Sequence, residues 1–389
     1  MNSVWLTRRH VANRVNRRPH HLVTAPILTS RIIVMGSAKR VVAIPGEDAA
    51  AEAFAATTSL LDGLSLDLDW SYPPVGAAAI QTHGEPFPPE ARAAIDDSDA
   101  ALFGATSGAS AGALFYLRWG RQTFANVRPT RFTQGVGSPL TRPEGIDLVI
   151  VRENLEDLYV LSEGALQDLA PLGLSSATWQ KPVADLGPGA YALKVITERG
   201  CQRVARFAFE LARRRKAQGQ VGKVTCATKH NLLFRTDGLF HEVAQHVAGE
   251  YQDIEFEALI IDDFANRLVG RPQQFDVVLL PNLYGDVLSD AAAALAGGLG
   301  LAASGCYGND YAYFEPVHGT APDLERQRVN PTATILCAAM MLEYLAFGEA
   351  AQQLVAAVER VYARGAPLTP DQGGSASTDE FCDAVAAAI

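Results

Sequence analysis

The 389-residue chain lacks several features that would settle its class at once. Its five cysteines, Cys201, Cys226, Cys306, Cys337 and Cys382, are odd in number and scattered, with no Cys-x-x-Cys pair. That argues against a disulfide framework and against a zinc site, and it fits free thiols in a reducing cytoplasm. No run reaches the ~18 apolar residues of a membrane helix. The longest candidates, 21–36 and 292–303, are broken by Pro26 and Arg31 or are rich in Ala and Gly, so no membrane is expected as a partner. Positive charge is also scarce: 33 basic residues face 43 acidic ones, a formal net charge of -10. Such a chain has no general attraction for nucleic acid, and its basic residues matter only where they converge. A G-x-G-x-x-G fingerprint is missing as well, and GGLG at 297–300 reads as close helix packing.

What is present is an ordinary globular composition, 48% hydrophobic and 20% charged, long enough for about two domains. Residues 1–34 stand apart, with Arg8, Arg9, Arg14, Arg17 and Arg18 and no acid. An Arg-rich leader can be a transit peptide; the reading adopted here is a disordered or extraneous leader over 1–37, with Met35 as a natural start.

Beyond it, short apolar runs (41–44, 66–70, 100–105) alternate with helical patterns such as 49–62. Such alternation predicts an α/β fold with a largely parallel sheet. The segment 146–154 is a buried strand ending in polar residues, 194–216 is an amphipathic helix, and 223–229 and 275–282 are further strands. Sites in such sheets form at the C-terminal ends of strands. From Ser289 an Ala/Gly-rich helix leads to a loop with Pro316, Gly319 and Pro322, followed by a helix from 331.

Three groups of residues carry chemistry. Arg118, Arg128 and Arg152 suit a substrate with more than one carboxylate, because guanidinium grips carboxylate with paired hydrogen bonds. Asp286 and Asp290 stand four apart and share a helix face, with Asp262 upstream. Oxygen ligands of that kind favour Mg2+ or Mn2+, although acids at a helix start can simply answer its dipole. Lys229, desolvated near a metal, can act as a base, and Tyr159 can deliver a proton.

Five stretches, FANVRP, VRENLEDLY, NLYGDVLSD, FEPVHGTAPD and NPTATILCAAMMLEYL, together with GGSAST at 373–378, resemble the β-decarboxylating dehydrogenases. These are the isopropylmalate, isocitrate, homoisocitrate and tartrate or D-malate enzymes, and the likeness runs from about Val41 to the end. It implies the isopropylmalate dehydrogenase-like fold: two α/β domains with a central cleft and no Rossmann dinucleotide fold. Residues 38–123 with 297–389 would form the cofactor-side domain. Residues 124–296 would form the second, with the dimer contact and the metal and substrate side.

The resemblance also implies roles. Arg118, Arg128 and Arg152 would clamp the malate carboxylates, with Asn231, Leu114 and Phe115 also on the substrate side. Asp286 and Asp290 would hold the metal with Asp262 of a neighbouring copy, Lys229 would be donated across a homodimer with shared sites, and Tyr159 would be the proton donor. His318, Gly319, Thr320, Ala321, Asp323, Leu324 and Asn330 would hold the adenosine. Asp323, where NADP-using members carry Lys-Tyr in place of Asp323-Leu324, implies NAD. Two departures stand out: the glycine-rich turn reads IPGEDAAAE, and the loop after Asp323 is one residue short.

The expected activity is therefore NAD- and Mg2+/Mn2+-dependent oxidative decarboxylation of a 3-substituted malate, 3-isopropylmalate or a related 3-alkylmalate, by a cytoplasmic enzyme. Leu114 and Phe115 resemble the apolar pair that faces an isopropyl group, while an isocitrate enzyme would offer Ser and Asn where Gly112 and Leu114 stand. Tartrate or D-malate, isocitrate and homoisocitrate dehydrogenases are the alternatives within the family. A non-catalytic regulatory subunit is the alternative of another class, against which the chemical groups are all present.

Overall fold

The computed structural model describes residues 38–389, so the predicted leader lies outside the described residues. In chain order the strands are β1 (Lys39–Ile44), β2 (Leu68–Ser71), β3 (Ala100–Phe103), β4 (Ala125–Arg131), β5 (Asp147–Glu153), β6 (Glu163–Ala165) and β7 (Ser175–Ser176). They continue with β8 (Lys181–Pro182), β9 (Ala190–Ala192), β10 (Lys223–Thr228), β11 (Glu255–Ile260), β12 (Val277–Leu280), β13 (Ala303–Tyr307) and β14 (Ala312–Pro316). Ten of them make one sheet in the order β11-β10-β12-β5-β4-β13-β14-β3-β1-β2. The remaining four form two small antiparallel pairs, β6 with β9 and β7 with β8. Among the described residues, no helix is long and apolar enough to cross a membrane.

The expected α/β class holds, but the sheet is mixed. Both flanks are parallel, whereas β5-β4, β4-β13 and β13-β14 pair antiparallel. The physical reason lies in the connections: β4 leads to β5 and β13 to β14 without an intervening crossover helix, and an antiparallel return needs none.

Alternation along the strands explains the packing on both faces. Val41 and Ala43 of β1 enter one apolar cluster with Phe54, Leu342 and Phe381, while Val42 and Ile44 enter another with Ile95 and Tyr311. In β5, Val149 and Val151 join Phe207 and Phe240, and Leu148 and Ile150 join Phe264 and Leu295. Successive side chains of a strand point to opposite faces, so runs such as LVIV are apolar because both faces are covered. The sheet is continuous between the two halves, through the pairing of Gly305, Cys306 and Tyr307 with Val127, Asn126 and Ala125.

Two helices differ from expectation in where they begin. The amphipathic helix runs Glu198–Ala217, capped by Thr197, whose side chain accepts the N–H of Gly200. Lys194 and Val195 are withheld from it because Val195 bridges the backbone of Asp157. The helix expected from Ser289 starts earlier, at Asn282, and ends at Leu295.

Candidate active site

The register of the central strands creates the site. Arg152 is the next residue of β5 on the face of Leu148 and Ile150, and Arg128 lies directly opposite Ile150 on β4. Both guanidiniums therefore rise on one face, where the helix Asn282–Leu295 crosses. Arg152 is 1% exposed and Arg128 8%, and charges buried to that degree need partners. Asn282 Oδ1 accepts from Arg152 Nε at 2.8 Å, and Ser289 Oγ accepts from Arg128 Nη1 at 2.6 Å. Asp286 accepts from Arg152 Nη1 and lies 3.2 Å from Arg128 Nη2, while Asp290 lies 3.3 Å from Arg128 Nη1.

Asp286 and Asp290 fall in the second and third turns of this helix, which has no acid in its first turn, so they are not dipole caps. Tyr159, in the short turn Leu158–Val160, donates to Asp286, and the Arg152 guanidinium carbon sits 4.9 Å from the centre of its ring. Burial opposes ionisation of Asp286, but Arg152, the Tyr159 hydroxyl, Arg128 and Arg118 outweigh it and hold its pKa below the usual carboxylate value. Burial and the bond to Asp286 both raise the Tyr159 hydroxyl, which keeps its proton at neutral pH. Desolvation, reinforced by Arg128, brings Arg152 down to about 10.

Arg118 comes from the other half of the sheet, on the helical stretch Tyr116–Gly120, and stands 3.5 Å from Glu315 and 3.4 Å from the Tyr313 hydroxyl. A cavity of about 200 Å³ gathers all three arginines with Tyr159, Asp286, Glu315, Ser304, Thr106 and Leu114. Arg152, which lines it, keeps its Nη2 buried with no partner, a donor left over after Asn282 and Asp286 are served.

A second cavity, about 890 Å³, is lined by His318, Gly319, Ala321, Asp323, Leu324 and Asn330, with Asp371 and Arg328. His318 Nε2 is also buried without a partner. The two cavities share His318 and Gly319. Thr320 is buried beside this cavity rather than lining it, and its carbonyl accepts the N–H of Ala50.

Other expected residues stand apart. Leu114 lines the substrate-side cavity, but Phe115 turns outward, 48% exposed and edge-on to Trp119 at 5.2 Å. Lys229 pairs with Asp262 at 2.5 Å, and neither they nor Asn231 line the cavity that holds Asp286. Among the described residues of one chain, no group of three acids, histidines or cysteines gathers to hold a metal.

Several participants were not singled out in the sequence. Glu315 lies inside FEPVHGTAPD and Asn282 and Ser289 inside NLYGDVLSD, so the motifs held them without marking a role. Glu47 lies in the stretch IPGEDAAAE, noted for its missing glycines but given no role: its carboxylate accepts the N–H groups of Ser107 at 2.6 Å and Ser110 at 2.9 Å, fastening the loop next to Ala105 and Thr106 of the substrate-side cavity. This is how the glycine-poor turn is shaped. Gly46, at φ +78, sits so close to Ala105 that an added Cβ would be 2.2 Å from its carbonyl oxygen, so the turn keeps its one indispensable glycine.

Comparison with known proteins agrees with this arrangement. Residues 40–385 match the family described as isocitrate/isopropylmalate dehydrogenase. The chain is 42% identical over 348 residues to the 3-isopropylmalate/3-methylmalate dehydrogenase of Methanocaldococcus jannaschii, covering 89% of this chain and 98% of that one. It is 39% identical over 359 residues to the isocitrate/homoisocitrate dehydrogenase of Thermus thermophilus, covering 90% and 99%. The solved isocitrate dehydrogenase of Methylococcus capsulatus superposes with a TM-score of 0.77 at 32% identity, over 90% of this chain and 99% of that chain. With a mixed ten-stranded sheet, a cavity ringed by arginines and acids, and these relatives, the chain belongs to the isocitrate/isopropylmalate dehydrogenase family and is a β-decarboxylating dehydrogenase.

Proposed function

We propose that the protein oxidises and decarboxylates a 3-alkylmalate, such as 3-isopropylmalate or 3-methylmalate, with NAD and Mg2+ or Mn2+, in the cytoplasm. The observation that carries this reading is the buried, unpartnered Nη2 of Arg152 in a small cavity that also holds Arg118 and Arg128. The three guanidiniums together suit the two carboxylates of a malate. Leu114 lines the cavity at the position where an isocitrate enzyme would be expected to offer a polar donor, which disfavours isocitrate.

Asp286 and Asp290, one helical turn apart and bearing only oxygen donors, fit a Mg2+ or Mn2+ ion. When bound, such an ion supplies Lewis acidity at the substrate's 2-hydroxyl. The arginines orient both carboxylates and neutralise their charge. Lys229 Nζ, contributed by a second copy, takes the proton of the 2-hydroxyl as C2 gives up its hydride to NAD, the β-carboxylate leaves as CO2, and Tyr159 Oη delivers a proton to C3, giving a 2-oxo acid.

Lys229 and Asp262 would complete the site of a second copy. In support, Leu232, Phe234 and Val287, close in sequence to Lys229 and Asp286, are large apolar side chains left exposed on a single chain, as a homodimer contact would need. The seam between β4 and β13 is our division between the domain of 124–296 and that of 38–123 with 297–389. On the cofactor side, Asp323, Glu325 and Asp371 outnumber Arg328 around the larger cavity, a charge balance that favours NAD over the 2'-phosphate of NADP.

The test is NADH formation with a panel of malates, alkylated, hydroxylated and carboxymethylated, in Mn2+. Alkylmalates should be turned over most efficiently. Preference for isocitrate or tartrate, or no turnover at all, would reject the reading.

A further inference from the structure

Lys194, between β9 and the helix Glu198–Ala217, lines neither cavity, yet its ammonium occupies a buried junction. It stands 2.6 Å from Asp237 Oδ1, 3.4 Å from Asp157 Oδ1 and 4.7 Å from the centre of the Tyr284 ring. Both carboxylates are 0% exposed. The contact to Asp237 Oδ1 lies off the line of a directed hydrogen bond, so its attraction is coulombic. Two buried carboxylates beside each other repel, and the ammonium is what allows them to share the junction.

Each carboxylate reaches a segment that carries a residue of the proposed chemistry. Asp157 Oδ1 accepts the N–H of Leu158 at 2.9 Å, next to Tyr159. Its Oδ2 accepts the N–H of Leu283 at 3.1 Å, in the first turn of the helix that bears Asp286. Asp237 Oδ2 accepts the N–H of Lys229 at 2.7 Å. Three stretches distant in sequence thus hang on two carboxylates and one ammonium.

We propose that Lys194 is a positioning residue: by joining Asp157 to Asp237 it fixes the Tyr159, Asp286 and Lys229 segments relative to one another and so governs proton transfer without touching substrate. The proposal rests on the functional reading above. In that reading Tyr159 serves its own cavity and Lys229 that of a second copy, so one ammonium couples the two sites.

The experiment compares wild type, Lys194→Met, Lys194→Arg and the double variant Lys194→Met/Asp157→Asn by thermal melting and by steady-state kinetics with 3-isopropylmalate, NAD and Mn2+. The double variant removes one positive and one negative charge together and so preserves the charge balance of the junction. It is expected to melt cooperatively and to lose about ten- to a hundredfold in kcat, with KM for the malate within about threefold of wild type, as for catalytic groups displaced by a fraction of an ångström to an ångström. Lys194→Arg should recover most of that kcat. A folded double variant with wild-type kcat overturns the proposal, as does one whose KM rises as steeply as its kcat falls. Failure of the double variant to fold marks Lys194 as a purely structural residue and overturns it too. A wild-type enzyme inert toward every malate overturns the functional reading and the proposal with it, an outcome distinct from an active wild type with unaffected variants.

Discussion

Gly285 lies flat against Arg152. A Cβ at position 285 would stand 2.6 Å from Arg152 Cβ and 2.7 Å from its Cγ, so only a bare helix backbone lets Asp286 reach this guanidinium. Gly285→Ala must push the helix or the arginine aside. Overpacking on this scale costs about 1–3 kcal/mol, and the displaced charges should lower kcat/KM about tenfold or more. Melting curves and kinetics of the alanine variant check both; unchanged values would mean that the helix shifts without consequence.

Arg152→Lys keeps the charge but replaces a planar fork by a single point. Asn282, Asp286 and the incoming carboxylate can then no longer all be served at once. Losing one or two bonds to charged groups is worth about 1.5–3 kcal/mol each. The lysine variant should therefore show at least a tenfold loss of kcat/KM for the malate, with KM for NAD little changed. Titrating each ligand separately is the measurement.

Glu153, beside Arg152 on β5, faces away from the site, and its stability effect can be separated from catalysis. Burial raises its carboxyl to about 7, against the backbone N–H groups of Glu156 and Leu155, which favour the anion. Because the folded value exceeds the usual 4.5, its stabilising contribution is complete below that value and is lost as pH rises through 7. Wild type should lose up to about 3 kcal/mol from this group between pH 5 and pH 8. Glu153→Gln should flatten that part of the stability profile. Melting temperature against pH for both proteins decides it, and parallel curves would refute the assignment.

The proposed preference for NAD is expected to shift toward NADP. If the proposed role of Asp323 holds, Asp323→Lys and Leu324→Tyr together replace a carboxylate that would repel a 2'-phosphate by a cation that would attract it. NADP should gain on NAD by at least about tenfold in kcat/KM, the equivalent of ~1.4 kcal/mol. Equal ratios before and after would place the ribose elsewhere in the cavity.

Much of the fold was legible because buried strands and amphipathic helices write their periods into the chain. The runs at 41–44, 100–105 and 146–154 all became strands, and the arginines at 118, 128 and 152 did converge. The antiparallel centre of the sheet was not legible, since strand direction depends on connections and not on apolar pattern. Phe115 illustrates a different limit. Adjacent to Leu114 in sequence, it points elsewhere because neighbouring residues on a helix diverge around the axis. The Lys194 junction was invisible for a third reason: Asp157, Lys194 and Asp237 carry no spacing pattern and meet only when two loops close on the first turn of the helix Thr236–Ala248.

The wall formed by His318 and Gly319 belongs to both chambers. On the proposed reading, the dicarboxylic acid and the nucleotide would therefore flank the same short stretch of chain. A change at either of these two residues would then be felt by both guests together.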